Sequence, residues 1–513
     1  MNSISGRFDP ILLPFAIIPL FASNGLSPVS LEFQVLRKRL IPIIFLLALS
    51  LLLPGCGGSS APGNHTSGIT YRAFLSNSVS SPSSNAGIYI VNAASDVYPR
   101  GLAPISAGNT PGMMVVTPNR AQTLVFSGTN TQSSDNLFTI INNSSEQGAA
   151  HLTLPSYTES FVVSPDSSTA YVAIPNAPVV GLSPGEVEVV GLGTGSVAAQ
   201  IFIPSVHYLS ISNGGDRILA FTDVPASMGA PCPTTPASFF VITPSQLGIA
   251  PCVVIPVPGF DQPVQAFFSS DDTTAYVINC GAECGGTEAS VQPFDLSTCN
   301  PNTLTCGSPG TAVPVCGAPQ TAGAAPPCAA SEALVLGSTM YLAGTPYDSS
   351  GESFTCLGAK GETLNCGMLT IFDLNTMSIV TSNIAITDGY HNRIAMGANG
   401  QLFIGAHTCT EIVPPENPPP GSEIRGCLSI YNSLNSAVGS VAPGGVLIPP
   451  VNGDATGLQP IANRTVVYVV QGGSLLIYDA TSDALYYNPN NPNNPGEIFG
   501  LVGYFIDVKT VDY

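Results

Sequence analysis

A chain made almost wholly of short strands, grouped into one small sheet that repeats around a closed ring, is the fold class this sequence predicts. Three observations predict it. The segments VVSPDSSTAYV (162–172), FFSSDDTTAYVIN (267–279) and IANRTVVYVVQ (461–471) share one pattern: an apolar strand, a polar turn, and a second strand carrying an aromatic or apolar residue. Units of this kind recur about every 50–65 residues, and a fixed period made only of strands is the mark of a propeller, whose blades bury their faces only by stacking on one another. Composition agrees: 52 Gly and 47 Pro supply turns, and the charged fraction is only 9% against 44% hydrophobic, too apolar for a disordered chain.

Second-strand landmarks fall at Phe74, Leu124, Tyr171, Leu219, Tyr276, Tyr341, Phe403 and Tyr468. Each is followed by a third strand: GIYIVNA (87–93), NLFTIIN (136–142), GEVEVVGL (185–192), ASFFVIT (237–243), ASVQPFD (289–295), MLTIFD (368–373), CLSIYN (427–432) and SLLIYD (474–479). Fourth strands close several units, as in 198–204, 252–258 and 382–388. The count is therefore eight four-stranded antiparallel blades, or seven if one unit elaborates its neighbour. The first unit lacks an inner strand and the last is followed by a surplus strand, GYFIDVKTVDY (503–513). Using the tail to complete the first blade removes exposed sheet edges at the seam.

These units resemble the YVTN-type β-propeller repeats of bacterial and archaeal surface proteins. Tyr276-Val277-Ile278-Asn279 departs from that tetrapeptide at one position, and SPD (164–166) with the FDLST and FDLNT turns matches the rest. The likeness spans roughly 70–513 and implies a fold only. Asp295/Thr298 and Asp373/Thr376 read as side-chain-capped turns, without catalysis. The absence of Trp speaks against Trp-Asp repeats, quinoprotein propellers and sialidase-type Asp boxes.

Upstream, Arg37-Lys38-Arg39 precedes LIPIIFLLALSLLL (40–53) and then Pro54-Gly55-Cys56-Gly57. A 14-residue apolar run is too short to span a core of about 30 Å but fits the apolar region of a signal peptide. Leu53-Pro54-Gly55-Cys56 resembles a bacterial lipobox, which implies a lipidated Cys56 at the mature N-terminus. The expected organisation is a leader or wrongly extended start over 1–34, a lipoprotein signal peptide over 35–55, a lipidated flexible tether over 56–69 and one propeller over 70–513. Gly57 after the cysteine implies sorting to the bacterial outer membrane, in the cell envelope, facing the periplasm or the surface. Removing the leader's four basic and two acidic residues leaves 9 Lys and Arg against 30 Asp and Glu, a formal charge of −21. Such a body repels nucleic acid.

Twelve further cysteines, an even number confined to 232–427, read as disulfides in an exported chain. Near-neighbour pairs are Cys232 with Cys252, Cys280 with Cys284, Cys299 with Cys306, Cys316 with Cys328, Cys356 with Cys366 and Cys409 with Cys427, although spacing alone does not fix connectivity. No Cys-x-x-Cys or His-containing finger spacing supports a metal site instead.

The longest connections, 225–236, 344–366 and 407–427, all leave one face of the ring. At that face Glu159, His207, Asp261, Glu332, Tyr390 and His391 lie at or near the entries to inner strands, around the mouth of the channel. Two His and three carboxylates there could hold a divalent metal and activate water for lactone or ester hydrolysis. No nucleophile elbow, phosphate loop, His-Glu-x-x-His or EF-hand loop is present. Two functions follow. The first is a monomeric, lipid-anchored, non-catalytic propeller without a cofactor that binds a protein or glycan through its loop-rich face. The alternative is a lactonase-like propeller hydrolase with a metal at the channel mouth.

Overall fold

The computed structural model describes residues 67–79, 85–128, 134–229, 231–250, 252–317, 327–347, 354–357, 361–411, 425–434 and 436–512. The leader, lipobox with Cys56, and most of the tether lie outside these residues. So does the proline-rich run at 414–421.

Among the described residues eight antiparallel blade sheets follow in chain order, with a ninth, two-stranded sheet in the blade 6 loop. Their inner strands are Phe505–Thr510 for blade 1, then Pro111–Val116, Ser160–Val163, Val206–Ile211, Pro263–Phe268, Glu332–Leu336, Tyr390–Met396 and Ala455–Pro460 for blades 2 to 8. Blades 2 to 8 are four-stranded, while blade 1 has three strands, with a single bridge from Ile88 to Ile105 where a fourth would lie. Blade 1 takes its inner strand from the tail, with Ala73 opposite Thr510 and Leu75 opposite Val508. All eight landmark residues lie in second strands, and the count is eight rather than seven.

Strand alternation explains why the blades stack. In Thr169–Ile174, Ala170, Val172 and Ile174 face blade 2, whereas Tyr171 and Ala173 face blade 4. Successive side chains point to opposite faces of a strand, so one six-residue strand feeds two cores. Eight apolar clusters result, each shared by two neighbouring blades, and the pair joining blades 8 and 1 closes the ring around Leu75, Tyr468 and Val508. The seam is also pinned by charge: Asp96 accepts bonds from Arg464 at 2.6 and 2.7 Å and from the Tyr468 hydroxyl at 2.5 Å. On the other side of blade 1, Arg72 pairs with Asp512 and Glu146.

The turn motifs are structural. Asp166 accepts from the Ser168 backbone, Asp295 from Ser297 and Asp373 from Asn375, at 2.8–3.0 Å. Asp272 reaches from blade 5 to the backbone of Asn213 and Gly214 in blade 4, an inter-blade clamp.

Six disulfides join the near-neighbour pairs named above. Their sequence separations run from 4 to 20, so each closes a local loop or connector and none ties distant blades together. A bridge over so short a loop restricts only the unfolded segment it closes, worth roughly 2–3 kcal/mol. Reduction is therefore expected to raise protease cleavage between 225 and 430 while the far-ultraviolet signal of the sheets persists. Limited proteolysis with circular dichroism checks this, and global unfolding on mild reduction would contradict it.

Candidate binding site at the channel mouth

All eight inner strands contribute to one cavity of about 550 Å³ on the channel axis, with Met113, Ser160, Leu209, Val264, Glu332, Asn392, Thr456 and Ile506 as one representative of each. In an antiparallel blade the inner strand begins on the side where second and third strands are joined, so this mouth opens on the loop-rich face. The tethering of loops to connectors confirms the shared side: Asp388, just before the inner strand of blade 7, accepts bonds from Thr410 N and Oγ1 at 2.8 and 2.6 Å. Asp454, before blade 8, takes the Thr408 N–H at 2.7 Å.

Of the six residues expected at the mouth, Glu159, Glu332 and Tyr390 line the cavity, and His207 stands beside it. The His207 Nε2 lies 3.4 Å from Glu159 and 3.7 Å from Asp223. Tyr390 reaches across the channel from blade 7, and its hydroxyl sits 3.1 Å from that of Tyr208 in blade 4. Burial, with the partner phenol and nearby carboxylates, raises the Tyr208 hydroxyl far above its ordinary value. Both phenols stay neutral and can exchange hydrogen bonds with a ligand in the mouth. Glu332 is pushed up to about 7 by burial, against the opposing charge of Arg393.

The other two lie elsewhere. Asp261 is a loop clamp, accepting bonds from Thr287 N, Thr287 Oγ1 and Glu288 N at 2.5–3.0 Å. His391 is fully buried with Nε2 3.0 Å from the Thr387 carbonyl, and burial lowers its pKa to about 4. Because adjacent strand residues face opposite ways, Tyr390 pointing into the channel sends His391 into the wall between blades. The two histidines therefore do not converge.

Residues not singled out from sequence complete the mouth. Arg393 donates through Nε to the Thr456 carbonyl at 2.9 Å and is a cation on the cavity wall. His407 lines the same wall, 3.4 Å from Asp454; burial lowers its pKa, with Asp454 opposing. Two other clusters have the residue types of a metal site, Glu288 with Cys316 and Cys328, and Glu411 with Cys409 and Cys427. In both the cysteines are disulfide-bonded, which removes the thiolates an ion would need.

The fold and its axial mouth define a β-propeller protein with one loop-rich face. No protein-family model and no curated protein sequence matches the chain. Among solved structures it is similar to the dihydro-heme d1 dehydrogenase NirN in complex with DHE, at 12% identity and TM-score 0.50 over 86% of this chain and 75% of that one. Similar too are the hydrazine synthase of Kuenenia stuttgartiensis (12% identity, TM-score 0.46, 75% of this chain, 100% of that one) and the periplasmic gluconolactonase PpgL of Pseudomonas aeruginosa (15%, 0.42, 86% and 98%). At such identities the likeness is one of fold.

Proposed function

We propose that this chain is a lipid-anchored propeller of the bacterial cell envelope that binds a macromolecular partner through its loop-rich face, without catalysis. The observation that carries the reading is a set of contacts that ties described residues of the blade 6 and blade 7 loops to one another. Arg425, fully buried, donates through Nη2 to the Asn365 carbonyl and approaches Asp388 at 4.0 Å and Cys366 Sγ at 3.7 Å. Glu283 in the blade 5 loop accepts the Thr345 N–H at 2.9 Å, adding a third blade. Residues already held by such contacts lose less entropy on binding. These contacts adjoin the hairpin Thr355–Leu357 with Thr363–Asn365, where Leu357 is 77% exposed and open to a partner on this face. Dispersal of His391 and Asp261 away from the mouth supports binding over hydrolysis.

The test is in-cell crosslinking from a photoreactive residue at position 357, with the same residue at Asn213 on the opposite face as reference. A discrete adduct from 357 alone is expected, together with release of Cys56→Ser protein from membranes. Identical labelling from both positions would remove the loop face from consideration, and a Cys56→Ser protein that stays membrane-bound would remove the anchor.

A further inference from the structure

We propose that Glu159, His207 and Asp223 form a divalent-cation site at the rim of the channel mouth, suited to Zn²⁺. Three separate segments bring the groups together: the connector entering blade 3, the inner strand of blade 4, and the second strand Ile218–Ala226 of the same blade. A single ring nitrogen, His207 Nε2, faces both carboxylates, at 3.4 and 3.7 Å. Two ligand atoms bound at about 2.1 Å to a tetrahedral ion stand about 3.4 Å apart, so each nitrogen–oxygen pair already has nearly the spacing that a shared ion imposes. Nε2 is the ring nitrogen that faces the carboxylates, while Nδ1 is buried on the other side of the ring.

The two carboxylates are not within ligand distance of one another, so an ion draws them inward. Their exposure, 44% for Glu159 and 58% for Asp223, leaves both free to rotate. Charge favours the step: two carboxylates flank His207 at the rim of a chain of net charge −19, and Arg393, a cation on the cavity wall, belongs to blade 7. One nitrogen and two oxygen donors suit a borderline ion better than Mg²⁺ or Ca²⁺, which prefer all-oxygen shells. Three protein ligands leave a coordination position open. Glu159 also lines the cavity, so a ligand seated there could complete the shell with a carboxylate or hydroxyl oxygen.

This inference does not depend on the partner-binding reading, because it is tested on the purified protein alone. Tag-free, chelator-stripped protein is titrated with Zn²⁺ by equilibrium dialysis and by melting temperature. We expect about one ion per chain and a melting temperature that rises with Zn²⁺, since an ion bound only by the native state stabilises it. Glu159→Gln and Asp223→Asn should each weaken binding at least tenfold, and His207→Gln should abolish it, while His151→Gln, in blade 2, leaves it unchanged. Because Glu159 and Asp223 are exposed, their variants carry the test even if His207→Gln folds poorly. Absence of saturable uptake by the wild-type protein, or uptake unaltered in both carboxylate variants, overturns the proposal.

Discussion

Deletion of residues 503–513 is expected to abolish cooperative folding, the largest effect of any short truncation in this chain. The tail is the inner strand of blade 1, and it buries Phe505 and Val508 in the core shared with blade 8 and Val511 in the core shared with blade 2. Each such side chain is worth about 2 kcal/mol on burial, so about 6 kcal/mol is lost from a total that is typically about 5–15 kcal/mol. The deletion also unpairs the ladder of Arg72–Asn77 and opens the ring at its seam. A graded version is Asp507→Ala. Asp507 is fully buried, accepts the Met114 N–H of blade 2 at 3.0 Å and meets Lys509 at 3.1 Å. Removing the acceptor strands a buried donor, a loss of about 1–3 kcal/mol. Thermal melts should show aggregation or a featureless transition for the deletion and a lowered midpoint for Asp507→Ala. An unchanged melt for the deletion would mean that the ring closes by other contacts.

The ring was legible because period-2 alternation and turn chemistry are local signals. Tyr171, Tyr276 and Tyr468 mark second strands without any knowledge of what they touch. Loop disulfides were legible for the same reason, since each bridge joins near neighbours. The mouth was legible only in part, because membership depends on which way a side chain faces and on strand register. Tyr390 and His391 are consecutive on one strand, so alternation turns their side chains to opposite faces, a signal present in the sequence. Asp223 is different: the pairing of Val206–Ile211 with Ile218–Ala226 slips between Val206 and Tyr208, and that irregularity beside His207 accompanies the approach of Asp223. No residue pattern announces such a slip. Arg393 was missed for a related reason, as a bulge between His391 and Arg393 resets which residues of that strand face inward.

Stability is expected to fall as pH rises from about 4.5 to about 8, because buried carboxyls hold protons in the native state that the unfolded chain releases. Burial, reinforced by Glu188, pushes Glu186 up to about 7, and burial raises Glu188 as well. Glu283 is pushed up to about 8 by burial, against bonds from Thr345 and Ser331, and Asp483 up to about 6 by burial and Asp479. For such a carboxylate the native state holds a proton that the unfolded chain has released. The contribution is therefore fully present below the unfolded value and is lost as pH rises through the folded one. Each group costs up to about 1.4 kcal/mol per pH unit within its window. His391 and His407 act in the opposite sense, since burial lowers both: the unfolded chain takes up protons below about 6.5 that the native state refuses. Between about pH 4.5 and 6.5 the histidines oppose the more numerous carboxyls, Glu332 at about 7 among them, without outweighing them, and only the carboxyls act above it. Glu186→Gln, at a residue only 3% exposed, should raise the melting temperature at pH 8 by several degrees while leaving it nearly unchanged at pH 4. A variant that shifts both melts equally would show that Glu186 acts through packing rather than through its proton.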